Sequence, residues 1–250
     1  MHAFYAVMWC GLFVVLFVLL GQVCLYIYDR WLSKKFGGSN NEFTGIFFGA
    51  LSLIYSLIIA FVIVAVWEDY EELNKTIEQE TDKLTSIVIH TNTLPDSLRT
   101  PIRSAIGLYC DEVLNQWEMP DASKVYQASA MPTLRLLLMQ TEPKGTLQQS
   151  LFSIIDKDFA SISELRRERL GHIRSHVPTL VWLIVLVGSS MLVIFSFLIE
   201  TRSVRLKRTG VAFLTAMIAM SIFLVYTLDH PFNSSAHVDN TPYKAIKKIL

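Results

Sequence analysis

The chain has 250 residues, of which 52% are hydrophobic and 18% charged, with a mean hydropathy of +0.40 and a formal net charge of zero. That apolar excess is more than a soluble globular domain carries, and the even charge balance gives no electrostatic footprint for nucleic acid. Three cysteines, Cys10, Cys24 and Cys110, are too few and too scattered to form a disulfide framework or a zinc-binding spacing.

The first apolar run covers residues 4–28. No basic residue precedes it and no A-x-A cleavage site comes after it, so the expectation is a retained helix rather than a signal peptide. Further runs cover residues 43–67, 177–199 and 211–228. Each approaches or exceeds the roughly 20 residues that an α-helix needs to cross a hydrocarbon core. The expected fold is an all-α integral membrane protein with four transmembrane helices. They form two hairpins that flank a helical, membrane-proximal domain at residues 68–176, and residues 229–250 form a tail.

The insert reads as helical. Leu73, Ile77, Leu84, Ile87 and Val88 fall at helical spacing with no Gly or Pro before Pro95, so the second spanning helix is expected to continue out of the bilayer to about His90. Thr100-Pro101 reads as an N-cap with proline at the first helical position, opening a stripe of Ile102, Ile106, Tyr109, Val113 and Trp117. Pro120 and Pro132 interrupt the stretch after Trp117. From Thr146 the positions Leu147, Leu151, Ile154, Ile155, Phe159, Ile162 and Leu165 form another stripe. Such amphipathic helices bury their stripes by packing into a bundle.

Positive charge bears on orientation. Arg30, Lys34, Lys35, Arg202, Arg205, Lys207 and Arg208 in the two short loops outnumber Lys244, Lys247 and Lys248 in the tail, which favours cytoplasmic hairpin loops. Arg166, Arg167, Arg169 and Arg174 lie on the opposite side and pull the other way. With four spans, the insert shares a side with both termini.

Two faces stand out on the second spanning helix. Gly45, Gly49, Ser52, Ser56 and Ala60 put small side chains on one face, and Phe47, Leu51, Ile54 and Ile58 put bulk on another. Small residues allow close helix packing within or between subunits. The bulky face has a second reading, a hydrophobic constriction lining a pore that gates by dewetting. No ionisable side chain lies deep in any span, which argues against a proton-coupled pump.

At the exit of this helix, Glu68, Asp69, Glu71, Glu72, Glu78, Glu80 and Asp82 face only Lys75 and Lys83. They read as a solvated helix face, or, repeated around an oligomer axis, as a ring that attracts cations or a brace between subunits. Glu80 is different because it falls within the apolar stripe between Ile77 and Leu84. It needs a buried partner, and Arg166, Arg167 and Arg169 are the candidates. Glu168, His172 and His176 fall at i, i+4 and i+8, but the H-E-x-x-H arrangement is missing and no metal site is read from them. Nothing pairs a nucleophile with a base or cradles a phosphate, so no enzyme and no cofactor are expected.

The order of these features resembles a known family. It is carried by Glu80 after the second span, Leu94-Pro95 with Arg99 and Tyr109 beyond them, and the stretch from Tyr109 that ends in Trp117-Glu118. The run Arg166-Arg167-Glu168-Arg169-Leu170 and the sequence Asp229-His230-Pro231-Phe232 after the last span complete it. Together they resemble the bestrophin-like membrane family across most of the chain. Two positions depart from the pattern: Trp117-Glu118 stands where Glu-Trp is expected, and Thr81 where alanine is. The resemblance implies distant similarity to bestrophins, which are pentameric anion channels with a pore lined by the second membrane helix and a large cytosolic helical region. That topology conflicts with the charge of the short loops. Pro95, Arg99, Tyr109, Trp117, Asp229 and Pro231 are the family-motif positions it singles out.

Two functions fit. One is an oligomeric, bestrophin-like ion channel in the cell (inner) membrane, whose partners are lipid, ions and further copies of itself. The other is a membrane sensor or scaffold whose helical insert binds a partner or ligand.

Overall fold

The computed structural model describes residues 2–32, 41–118, 130–140, 145–172, 176–201, 203–232 and 238–250. Lys34, Lys35, Pro120, Arg174 and Arg202 lie outside them. The helices are α1 (His2–Ile27), α2 (Asn41–Thr91), α3 (Asp96–Glu118), α4 (Ala130–Gln140), α5 (Thr146–His172), α6 (Thr179–Phe197), α7 (Val204–Asp229) and α8 (Thr241–Ile249). A π-helical turn, Tyr28–Leu32, comes directly after α1. Four of these helices, α1, α2, α6 and α7, are long and apolar enough to cross a membrane. The chain divides into two units, residues 1–68 with 177–236, and residues 69–176 with 237–250.

In the first unit the helices approach one another where side chains are smallest. A Cβ added to Gly21 of α1 would lie 2.7 Å from Thr215 Cγ2 of α7, and one on Gly188 of α6 would lie 2.8 Å from Tyr55 Cδ2 of α2. Leu25, Phe197 and Val211 form a small core where α1, α6 and α7 meet. Hydroxyls inside the spans bond to their own helix: Ser189 Oγ donates to Val185 O at 2.7 Å and Thr215 Oγ1 to Val211 O at 2.8 Å. Back-bonding of this kind satisfies a polar atom without water, as a bilayer requires.

Polar ties gather near the helix ends. Gln22 Nε2 donates to Arg208 O at 2.9 Å, and Lys207 Nζ pairs with Asp29 Oδ1 at 2.9 Å. The Asn41 side chain bonds Glu200 twice, donating to its carbonyl at 2.7 Å and accepting its N–H at 3.0 Å. Asp229 Oδ1 accepts the N–H of Val177 at 2.7 Å, joining the end of α7 to the entry of α6.

The second unit is a helical bundle with its own core. Leu73, Ile77, Leu84, Ile87 and Val88, on the part of α2 beyond the span, are all buried. The next helix begins at Asp96 and not at Pro101. Pro95 O accepts the N–H groups of Leu98 and Arg99, both at 2.9 Å, so the first turn closes there and Pro101 sits inside α3. Ile102, Ile106, Tyr109, Val113 and Trp117 form the buried stripe of α3, joined by Cys110. On α5 the buried set is Phe152, Ile155, Asp158, Phe159, Ile162, Arg169 and Leu170, whereas Leu147 and Ile154 are exposed, at 72% and 42%, and so fall outside the stripe read from the sequence. His176 lies beyond the end of α5 at His172, so Glu168, His172 and His176 do not share one helical edge.

Residues 238–250 belong to this bundle. The short helix α8 packs against α3 and buries Tyr243 and Ile246, while Lys244, Lys247 and Lys248 stay exposed. Lys247 pairs with Asp111 of α3.

Candidate functional site

Two places concentrate the residues singled out by the sequence: the spanning part of α2, and a buried charge in the helical bundle.

On α2 the positions that pack within the chain are Thr44, Phe48, Tyr55, Ile59 and Val66, all buried or half-buried. Their spacings of four, seven, four and seven residues put them on one side of a helix with 3.6 residues per turn. That side lies about 90° from both faces read from the sequence, at 100° per residue. Gly45, Gly49, Ser56 and Ala60 are exposed, and a Cβ on Gly45 or Gly49 would meet nothing within 4 Å. Ser52 is half-buried, its Oγ enclosed without a hydrogen-bond partner. Phe47 and Ile54 are exposed, at 46% and 56%, and Leu51 and Ile58 are half-buried. Close glycine packing inside this chain therefore occurs at Gly21 and Gly188, and the Gly45–Gly49 face remains uncovered by it. No spacing rule marks Gly21 or Gly188, since each is small because of what stands opposite.

In the bundle, Glu80 and Arg169 are each 0% exposed. Arg169 Nε donates to Glu80 Oε2 at 2.8 Å and its Nη2 reaches Glu80 Oε1 at 3.4 Å. The Tyr109 hydroxyl donates to Glu80 Oε1. The guanidinium lies over the rings of Trp117 and Tyr243, 5.9 Å from each centroid. Trp117 in turn donates its Nε1–H to Val238 O at 3.3 Å. One carboxylate thus joins α2, α3 and α5, and the cation that neutralises it is walled in by aromatic rings from α3 and α8. Of the three arginines weighed as its partner, Arg169 holds the place, while Arg166 is half-buried and Arg167 exposed.

Burial shapes the ionisation of this cluster. It raises the Tyr109 hydroxyl well above the usual tyrosine range, and the charge of Glu80 adds to the effect, so Tyr109 stays a donor. Burial alone would lower Arg169, but Glu80 beside it outweighs that and keeps the guanidinium charged. Burial also pushes Cys110 up to about 12, assisted by Asp111 and Glu80, which leaves an unreactive thiol. A charge neutralised so completely and sealed from water holds helices together.

The other motif positions are structural joints. Pro95 sits in the turn between α2 and α3, and Arg99 pairs with Asp96 within the first turn of α3. Asp229 caps the entry of α6, and Pro231 is buried just after α7. Six of the seven acids at the exit of α2 are exposed, Glu80 being the buried one.

Comparison with known proteins agrees with this architecture. The Bestrophin-like domain matches residues 15–243, and the chain belongs to that family. A bacterial bestrophin homologue from Klebsiella pneumoniae, solved as a point mutant, superimposes with a TM-score of 0.70 at 14% identity, covering 96% of this chain and 98% of that one. The homologue phased from zinc gives a TM-score of 0.67 at 13% identity, covering 95% and 96%. A further solved chain, described as a membrane protein, gives 0.64 at 13% identity, covering 96% of each chain. At these identities the likeness establishes the shared fold. No curated protein sequence matches the chain. The protein is a multi-pass, all-helical membrane protein of the Bestrophin-like family.

Proposed function

We propose that the protein is a homo-oligomeric ion channel of the cell (inner) membrane, with copies of α2 surrounding the ion path. The observation that carries this reading is the pair of uncovered faces on α2. One carries Gly45 and Gly49, at which an added Cβ meets nothing within 4 Å among the described residues, with Ser56 and Ala60 exposed beside them, and the other carries the exposed Phe47 and Ile54 with the half-buried Leu51 and Ile58. A small-residue face gains dispersion contacts only when another backbone comes close, and a second copy supplies one. Cyclic repetition then places a bulky apolar constriction around an axis, where it gates by excluding water. Membership of the family and the match to bacterial bestrophin homologues support the same reading. Exposed acids just beyond the span, Glu68, Asp69 and Glu71, would concentrate cations at one mouth.

Planar-bilayer recording of the purified protein tests this. Phe47→Ala and Leu51→Ala are expected to raise leak current by widening the constriction, while joint Glu68→Gln and Glu71→Gln should shift selectivity more than opening. A monomer that keeps its native stability and passes no current would sink the channel and leave a sensor or scaffold built on the helical bundle.

A further inference from the structure

Within the helical bundle, Glu72 of α2 and Glu168 and His172 of α5 each offer a ligand atom, and the three atoms lie within 4.8 Å of one another. Glu168 and His172 are four residues apart on one helix, so both project from the same edge of α5. Glu72 comes from a different helix, far away in sequence. Glu72 and Glu168 are exposed and His172 is half-buried. Among the described residues neither carboxylate is in an ion pair: Lys75, one turn beyond Glu72 on α2, is exposed and pairs with neither, and Lys83 further along is held by Asp158 at 3.1 Å. Two carboxylates facing each other with no cation between them repel, and a bound cation would reverse the sign of that interaction.

A second observation points the same way. An open groove of about 550 Å³ runs between α2 and α5, and Glu168 is part of its wall together with Asp82 and Glu164. Lys83, the only base in that wall, already serves Asp158. The groove gives a hydrated cation an acidic approach that reaches Glu168, one of the three ligands.

We infer that Glu72, Glu168 and His172 form a binding site for a first-row divalent metal ion of the zinc type. One imidazole nitrogen with two carboxylate oxygens is a mixed donor set. The imidazole favours Zn²⁺ and its neighbours over Ca²⁺ or Mg²⁺, which prefer oxygen alone. Three ligands around Zn²⁺ at about 2.0–2.1 Å stand roughly 3.4 Å apart, so small side-chain rotations complete the geometry and leave a fourth position to water. Occupancy would cross-link α2 to α5 within the bundle, whether or not the protein conducts.

The test uses the purified full-length protein in detergent, stripped with a chelator and titrated with Co²⁺ as a spectroscopic stand-in for Zn²⁺. The expected result is a visible d–d absorption that saturates at one equivalent per chain, is displaced by Zn²⁺ and is unaffected by excess Mg²⁺. His172→Ala and Glu72→Gln should each weaken Co²⁺ binding by about 10–100-fold or more. Glu78→Gln, at an exposed acid on the same helix but outside the trio, should leave it unchanged. Zn²⁺ should raise the melting temperature of the wild-type protein and not that of His172→Ala, since only a ligand bound to the folded state stabilises it. Because all three side chains are at or near the surface, the metal-free variants should melt with the wild type, which separates lost binding from lost folding. No saturable absorption in the wild-type protein, or equal weakening by Glu72→Gln and Glu78→Gln, would overturn the site and leave only diffuse attraction to an acidic surface.

Discussion

The helical bundle and the spanning helices hide apolar surface in different ways. In the bundle, Leu84, Ile87, Ile106, Cys110, Ile155 and Ile162 are all 0% exposed within the single chain. In the most apolar stretches of α1, α2, α6 and α7 the chain covers only 11%, 17%, 28% and 44% of residues. Water drives the first arrangement, because each apolar side chain removed from it gains roughly 1.5–3 kcal/mol. Lipid gives no such drive, since a leucine loses nothing by facing an acyl chain, and helices meet there only where shape allows close contact. The bundle therefore closes a core within one chain, although Leu108, Leu136, Met139 and Leu147 stay exposed on its helices. The spanning helices keep large surfaces available for lipid or for further copies of the chain.

The sharpest way to break this comparison is through Glu80–Arg169, the charge pair of the bundle with both partners fully buried among the described residues. Glu80→Ala leaves Arg169 charged, fully buried and unpaired, and also strips Tyr109 of its acceptor. The expected cost is about 3–5 kcal/mol, the usual range when one member of a buried pair is removed. Thermal or denaturant unfolding would measure it. Glu80→Gln retains an acceptor for Tyr109 and should cost less. A wild-type melting temperature for Glu80→Ala would mean that the carboxylate is solvated and the bundle is looser than described.

A smaller loss is expected at the places where the spanning helices touch. Gly188→Val would drive a Cβ to 2.8 Å from the ring of Tyr55, and Gly21→Val would drive one to 2.7 Å from Thr215. Neither neighbour yields easily, since one is a ring and the other a β-branched side chain with a restricted χ1. Overpacking of this kind costs about 1–3 kcal/mol. It should appear as earlier unfolding of the detergent-solubilised protein with the Glu80–Arg169 cluster, monitored by Trp117 fluorescence, still intact. Concerted loss of both signals at one temperature would show that the two units do not unfold separately.

How far the sequence reached obeys the same division. The spans, the continuation of α2 and the need of Glu80 for an arginine were legible, because length, periodicity and the cost of a buried charge are properties of a local stretch. The identity of the arginine was not, since Arg166, Arg167 and Arg169 differ only in the direction each takes around α5. Gly21 and Gly188 were missed for a related reason, as each answers a side chain on another helix. The helix α8 did leave a signal. Asn240-Thr241-Pro242 has the form of a helix start, and Tyr243 and Ile246 alternate at helical spacing with Lys244, Lys247 and Lys248. What no local pattern gives is its destination, where Tyr243 closes one side of the Arg169 guanidinium. The early start of α3 was hidden by Pro101, a strong helix-opening signal that here falls within a helix already begun by the turn at Pro95.

The smallest effect on the single chain should come from the substitution with the largest effect on assembly. At Gly49 an added Cβ meets nothing within 4 Å, so Gly49→Leu should leave the melting temperature of a detergent-isolated chain nearly unchanged and slightly favour helix by removing glycine. Between copies the same leucine would stand where two backbones need to approach, and the dispersion gained by close contact would be lost along the neighbouring turns. Phe47→Leu, on the opposite face, trades one bulky apolar side chain for another and should spare assembly. Cross-linking or light scattering in mild detergent measures both. Loss of the oligomer with Gly49→Leu but not with Phe47→Leu would assign the small face to subunit contact and the bulky face to the path. Equal behaviour would remove the distinction between the faces, and with it the case that the surface left open on α2 is open for a second copy rather than for lipid.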